Sequence, residues 1–210
     1  MKLKAVETEY NGYKFRSRLE ARWAYFFDLL GIEYEYEPEG IEIDEKTKYL
    51  PDFYLPHFHC FFEVKRKGLS KEEKDRAIKR ISWGMNCGEW AGMICFGDPV
   101  DNEIYIYCQE CNDSGGGSYE GEVTFGLHPS DSEPYLFALN DWRGRDFFTG
   151  FDTFQWIPMT TSEYGHYEEK TVINNLVKDC RIKARQARFE FGQTPQRREA
   201  NKWMIHSSMF

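Results

Sequence analysis

Three acids and a lysine between residues 16 and 65 have the types and spacing for chemistry: Glu20, then Asp52 after Pro51, then Glu63 and Lys65 on either side of Val64. Side chains on a strand alternate between faces, so Glu63 and Lys65 share one face and Phe62 and Val64 the other. If the strands bearing Asp52 and Glu63 pair as a hairpin, the two carboxylates meet on one face. Carboxylates that close repel strongly unless a cation lies between them. Mg2+ or Mn2+ takes hard oxygen ligands and keeps several waters, and a water held there can attack a phosphodiester. Lys65, near the mouth, would hold or deprotonate that water and offset phosphate charge. Three solvated charges on an amphipathic strand are the plain alternative. The apolar Phe61-Phe62 and Val64 argue instead for a core strand.

Glu20 belongs to a predicted helix over 15–30, whose residues Phe15, Leu19, Trp23, Phe26 and Leu30 recur at helical spacing. At about 100° per residue, Glu20 falls at the edge of that stripe, with Arg16 one turn earlier. Ser17-Arg18-Leu19-Glu20 also matches a capping box, with Glu20 reaching back to the Ser17 amide. A water-mediated contact to a metal is compatible with capping.

Arg16-Ser17-Arg18-Leu19-Glu20, Leu50-Pro51-Asp52-Phe53 and Phe62-Glu63-Val64-Lys65 together resemble the PD-(D/E)XK nuclease superfamily. The likeness is to the branch of the transposon end-cutting endonuclease and many small phage and bacterial nucleases, and Tyr36-Glu37-Pro38 resembles that branch's strand leading into a turn. The resemblance covers about a quarter of the chain and implies a restriction-endonuclease-like fold. It implies metal ligation by Asp52, Glu63 and the Val64 carbonyl, with Glu20 binding metal directly or through water. It implies that Lys65 activates the nucleophile of a Mg2+- or Mn2+-dependent endonuclease acting on DNA.

The elements that must position these residues read as an α/β arrangement with a mixed sheet. After the helix, closed by Gly31, come strands over 32–37, 41–43, 49–55 and 60–65. A basic helix over 70–85 follows, opened by Ser70 with Glu73 as a capping box. Strands over 92–97 and 103–107 complete a nuclease-like core at 1–110. Residues 109–121 read as a glycine-rich loop or hairpin tip. An aromatic-rich β/loop elaboration occupies 111–177, with short strands and loops over 122–160, and a basic helical segment occupies 178–210, helical over 168–192.

The 210 residues suit one elaborated domain. A hydrophobic content of 41% argues against disorder. No apolar run of about 18 residues suggests a membrane span, and no signal peptide is visible. Scattered cysteines fit reduced thiols and a cytoplasmic setting.

The net charge of −8 conceals segregation: 65–80 and 178–202 each carry +5, leaving −18 elsewhere. Basic islands on an acidic body bind phosphates locally while limiting non-specific adhesion. Arg16, Arg66, Lys67, Lys71 and Arg80 are the expected DNA contacts. Cys108 and Cys111 are half a structural Zn2+ site, with reduced thiols the preferred reading. His57 and His59 read as loop residues. Trp83, Trp90, Trp142 and Trp156 read mostly as core, and Asp141–Arg145 as a phosphate contact. The rival functions are a nucleic-acid-binding or nuclease-blocking protein on the same scaffold, and a nuclease subunit active only with a protein partner or as a homodimer.

Overall fold

A computed structural model describes residues 5–44, 47–84, 91–110, 117–127, 134–139 and 175–189. The expectations for Trp90, Cys111, Trp142, Trp156 and Asp141–Arg145 lie outside these residues. So do those for the side chains of Trp83 and Cys108 and for residues 190–210.

Strands β1 (Thr8–Tyr10) and β2 (Tyr13–Phe15) form a hairpin, and helix α1 (Arg18–Leu30) follows. The short strands β3 (Glu35–Tyr36), β4 (Ile41–Asp44), β5 (Thr47–Tyr49) and β6 (Phe53–Leu55) lead to β7 (Cys60–Lys65). Helix α2 (Lys71–Gly84) connects β7 to β8 (Ala91–Phe96). Strands β9 (Ile104–Glu110), β10 (Gly117–Leu127) and β11 (Pro134–Leu139) and helix α3 (Asn175–Gln186) complete the described chain. The mixed α/β class is as the sequence suggests.

Among the described residues, seven strands make the central sheet, in the order β11-β10-β9-β8-β7-β6-β3. Every neighbouring pair is antiparallel except β7 and β8, which run parallel with α2 as their crossover. A parallel pair needs such a crossover because the end of one strand and the start of the next lie a full strand length apart. β4 and β5 form a separate two-stranded ribbon.

The sheet is covered on both faces. On one, Phe53, Phe62 and Phe125 pack with Trp23, Phe26 and Phe27 of α1. Helix α3 lies against α1 and adds Val177, Cys180 and Ala184 to the same core. On the other face Ile94, Phe96 and Tyr107 pack with Ile81 of α2. Each fully buried large side chain contributes roughly 1.5–3 kcal/mol, so the aromatic cluster behind β6 and β7 is a large part of the driving force. Cys60, Cys95 and Cys180 are buried thiols. No helix among the described residues is long and apolar enough to cross a membrane.

Several boundaries differ from the sequence reading, for physical reasons. Helix α1 starts at Arg18 rather than at residue 15. Ser17 is extended, with φ −143°, and its hydroxyl accepts from the Glu20 amide. Phe15 still packs into the core, against Tyr36 and Phe53, but from the end of β2. The strand expected over 32–37 contracts to two residues because Glu37 adopts φ +47°. The strand expected over 49–55 breaks at residues 50–52, where Pro51 has no N–H to donate to a ladder. Tyr49 therefore ends the β4–β5 ribbon while Phe53 begins a strand of the main sheet. Beyond residue 110, β10 is eleven residues long, and β10 and β11 continue the central sheet. The β1–β2 hairpin was not anticipated, although Asn11-Gly12, at φ +51° and +82°, is a strong hairpin signal.

Trp23 ties the layers together: its ring packs on Phe62, and its Nε1 donates to the Gly97 carbonyl at 3.0 Å. Trp23→Ala is expected to lower unfolding free energy by about 3–5 kcal/mol, read by urea denaturation. A loss under 1 kcal/mol would contradict this view of the core.

Candidate active site

β6 and β7 pair with Phe53 opposite Phe62. One residue further along this register, Asp52 comes opposite Glu63. Phe53 and Phe62 turn into the α1 core, so Asp52 and Glu63 belong to the other face, above α2. Glu63 and Lys65 lie beside Ile94 and Phe96 of β8, residues of the α2-side core. Both carboxylates are 7% exposed.

The bend at residues 50–52 lets the Asp52 side chain fold over the end of β7. Its Oδ2 accepts from the Val64 amide at 2.8 Å. Its backbone carbonyl accepts from Glu37 N–H at 2.9 Å, pinning the bend from behind. Oδ1 has no donor among the described residues. Burial, then the charge of Glu63, pushes the Asp52 carboxyl from 3.8 up to about 7, against the opposing pull of Lys65 and the Val64 amide. That raised value expresses loss of water around the carboxylate first and the repulsion of a neighbouring carboxylate second.

Glu63 is held from both sides. Tyr49 donates to its Oε2 at 2.5 Å, and the Lys65 ammonium pairs with Oε1. Burial disfavours the Lys65 ammonium, but the fields of Glu63 and Asp52 outweigh it and raise the lysine's pKa. Lys65 is therefore a cation at neutral pH, suited to orienting a water and offsetting charge rather than accepting a proton. Burial, followed by the field of Glu63 and the hydrogen bond to it, raises the Tyr49 phenol strongly. Tyr49 thus stays a donor. Lys65 Nζ also lies 3.4 Å from the Val64 carbonyl.

Glu20 is buried in a neighbouring network. Ser17 Oγ donates to its Oε1 at 2.6 Å, while the Arg16 amide at 3.1 Å and the Tyr36 hydroxyl at 2.7 Å donate to Oε2. The capping interaction is thus made, in a variant in which Glu20 takes the Arg16 amide. The Glu20 charge still reaches Asp52 and adds to its raised pKa. Among the described residues no three His, Cys, Asp or Glu side chains gather as a ligand group, so Glu20 is not joined to the Asp52–Glu63 pair.

A cleft of about 330 Å³ opens onto Glu63 and Lys65, between the sheet and α2. Tyr49, Glu73, Arg76 and Arg80 line it beside them. Of the expected DNA contacts, Arg80 is in this lining. Lys71 is exposed at the start of α2, outside the lining. Arg66 pairs with Glu73 at 3.6 Å, Lys67 with Asp101 at 2.6 Å, and Arg16 with Glu37. The Ser70–Glu73 capping box at the head of α2 is formed in both directions, at 2.9 and 3.3 Å. His59 lies 3.5 Å from the Tyr54 hydroxyl, and His57 is exposed.

Tyr49 and Arg76 were not foreseen as site residues. Arg76 lies one turn before Arg80, a spacing that places both on one helix face. Tyr49 carries no local signal, since its role comes from the fold bringing β5 over β7. No protein-family model matches the chain, and no curated protein is similar to it in sequence.

Two outcomes test this geometry. The folded chain holds the Asp52 proton more tightly than the unfolded chain, whose group titrates near 3.8. The stability this group contributes is complete below about pH 4 and is lost as pH rises to about 7. Melting temperature without added metal should therefore fall across that interval, and Asp52→Asn should flatten the fall. An identical profile in the variant would refute the raised carboxyl. Tyr49→Phe removes a buried donor to a charged group and should cost about 1.5–3 kcal/mol in urea unfolding. An unchanged stability would show the Tyr49–Glu63 bond to be dispensable.

Proposed function

We propose that the protein is a metal-dependent endonuclease that hydrolyses phosphodiester bonds of DNA. The observation that carries this reading is the meeting of Asp52, Glu63 and Lys65 at one end of the β6–β7 pair, beside a cleft lined by Arg76 and Arg80. The order α1, β6, β7, α2, β8, with β7 and β8 parallel, supports a restriction-endonuclease-like core.

The donor set fits Mg2+ or Mn2+. Asp52, Glu63 and the Val64 carbonyl offer only hard oxygens, and the raised pKa of Asp52 marks a place where added positive charge relieves repulsion. Each carboxylate oxygen has two acceptor sites, so Glu63 can keep its bond to Tyr49 while engaging a cation. A bound divalent ion would polarise the phosphoryl oxygen and acidify a water. The chain's own residues do the rest. The Lys65 ammonium, held by Glu63, orients the attacking water and offsets charge developing on the phosphate. Tyr49 keeps Glu63 in place. Arg76 and Arg80 draw the strand into the cleft through its phosphates. Glu20 braces the turn before α1 and adds negative potential at Asp52.

A Mn2+ or Mg2+ assay on plasmid, linear, branched and single-stranded substrates is the direct test. Glu63→Ala and Lys65→Ala should each lower cleavage by at least about a hundredfold while duplex binding persists. Asp52→Ala should lose the Mn2+ isotherm seen by calorimetry. Full cleavage by Lys65→Ala, or no metal binding by the intact chain, would exclude the reading. Metal binding without cleavage until a second protein is added would favour a subunit of a larger nuclease.

A further inference from the structure

A second concentration of charge lies where β7 and β8 end, on the α1 side of the sheet. The Gly97 amide donates to the Lys65 carbonyl at 2.8 Å, and the Gly97 carbonyl accepts from Trp23. The turn that follows is thus clamped between β7 and α1. Gly97 sits at φ +106°, and a Cβ there would fall 2.4 Å from Asp101 Oδ2, so this turn takes only glycine at that position.

That turn delivers the buried Asp98 to two guanidiniums. Asp98 Oδ2 lies 3.3 Å from Arg185 Nε on α3 and 3.7 Å from Arg22 Nη1 on α1. Its Oδ1 accepts from the Val100 amide at 3.1 Å. One carboxylate oxygen thus faces two arginines. Arg22 Nε is buried and has no acceptor among the described residues. Arg18, one turn earlier on α1, and Arg185 both act on Arg22 as like charges. Lys67 pairs with Asp101 nearby and also feels the Arg185 charge. Arg181, one turn before Arg185, donates to Thr124 Oγ1 at 2.6 Å and to the Phe125 carbonyl at 3.2 Å. It fastens α3 to β10, so Arg185, 53% exposed, is carried on a fixed support.

We propose that Arg22 and Arg185, with Lys67 beside them, form a phosphate-binding site for a nucleic-acid strand flanking the scissile position. The inference rests on the nuclease reading in taking a nucleic acid as the ligand. A planar guanidinium matches phosphate oxygens in a fork, and here two guanidiniums share one carboxylate oxygen that a phosphate would replace. Lys67 is two residues past Lys65, at most about 7 Å along the chain. A strand seated at Lys65 can therefore present a neighbouring phosphate to Lys67. Asp98 acts as a placeholder, holding the arginines in position until a phosphate takes over.

The test is duplex binding by the full chain, read by fluorescence anisotropy in EDTA over a salt series. Arg185→Gln should weaken binding several-fold and reduce the magnitude of the log–log salt slope by about 1. Asp98→Asn, which keeps an oxygen for the Val100 amide, should strengthen binding, because it removes the competing charge. A purely structural role for the cluster would give no such gain. Arg185→Gln protein that binds duplex as tightly as the parent, with the same slope, overturns the site. So does a loss confined to polyglutamate, which would assign the patch to an acidic protein segment. Because no metal is present, the outcome separates from the chemistry. A chain that binds with these slopes but never cuts keeps this site and loses the nuclease reading. One that cuts while Arg185→Gln binds normally does the reverse.

Discussion

The antiparallel register that sets Phe53 against Phe62 governs the rest of this molecule. Those two rings are locked into an aromatic core with Trp23, Phe27 and Phe125, and sheet geometry then leaves the next position no choice. A slip of one residue would send Phe53 or Phe62 to the wrong face. The core therefore forces Asp52 and Glu63 together despite their repulsion. Hydrophobic burial, worth several kcal/mol over these rings, overrides the cost of desolvating Asp52 and setting it beside Glu63, which appears as its raised carboxyl.

Around this conflict the structure supplies partial relief. The Val64 amide and the Lys65 ammonium oppose it, and Tyr49 caps the second oxygen of Glu63. None of these groups removes the repulsion, which remains available to favour an added cation. Glu20 sits just outside, held by Ser17, Arg16 and Tyr36. The site is thus built in layers: two acids in contention, donors holding each, and a helix-capping network that keeps a third acid close but separately tied.

Much of this was legible in the sequence where a local rule applied. The alternation in Cys60–Lys65, Gly31 closing α1 and the Ser70–Glu73 box opening α2 each depend on a few neighbouring residues. The grouping of Asp52, Glu63 and Lys65 followed from strand pairing of adjacent segments. Features that depend on distant partners were not legible. Tyr49 reaches Glu63 because Pro51 breaks the strand and a separate ribbon folds over β7. Asp98 meets Arg22 and Arg185 because α1, α3 and the β8 turn converge. β10 and β11 look like short strands among aromatic-rich loops until they are seen to continue a sheet begun elsewhere. The Asn11-Gly12 hairpin differs from these, since its signal is local to the two turn residues.

The parallel pairing of β7 with β8 sets a timetable for the growing chain. β7 can zip to β6 as soon as it is made, but its second neighbour comes only after the whole of α2. Until then one edge of the Glu63-bearing strand has no partner, and non-local pairing of this kind forms slowly. A nascent chain paused within α2 could pair β6 with β7 and so set Asp52 opposite Glu63, but without β8 alongside or α2 over that face. The burial of the acidic pair thus waits for synthesis to pass Phe96.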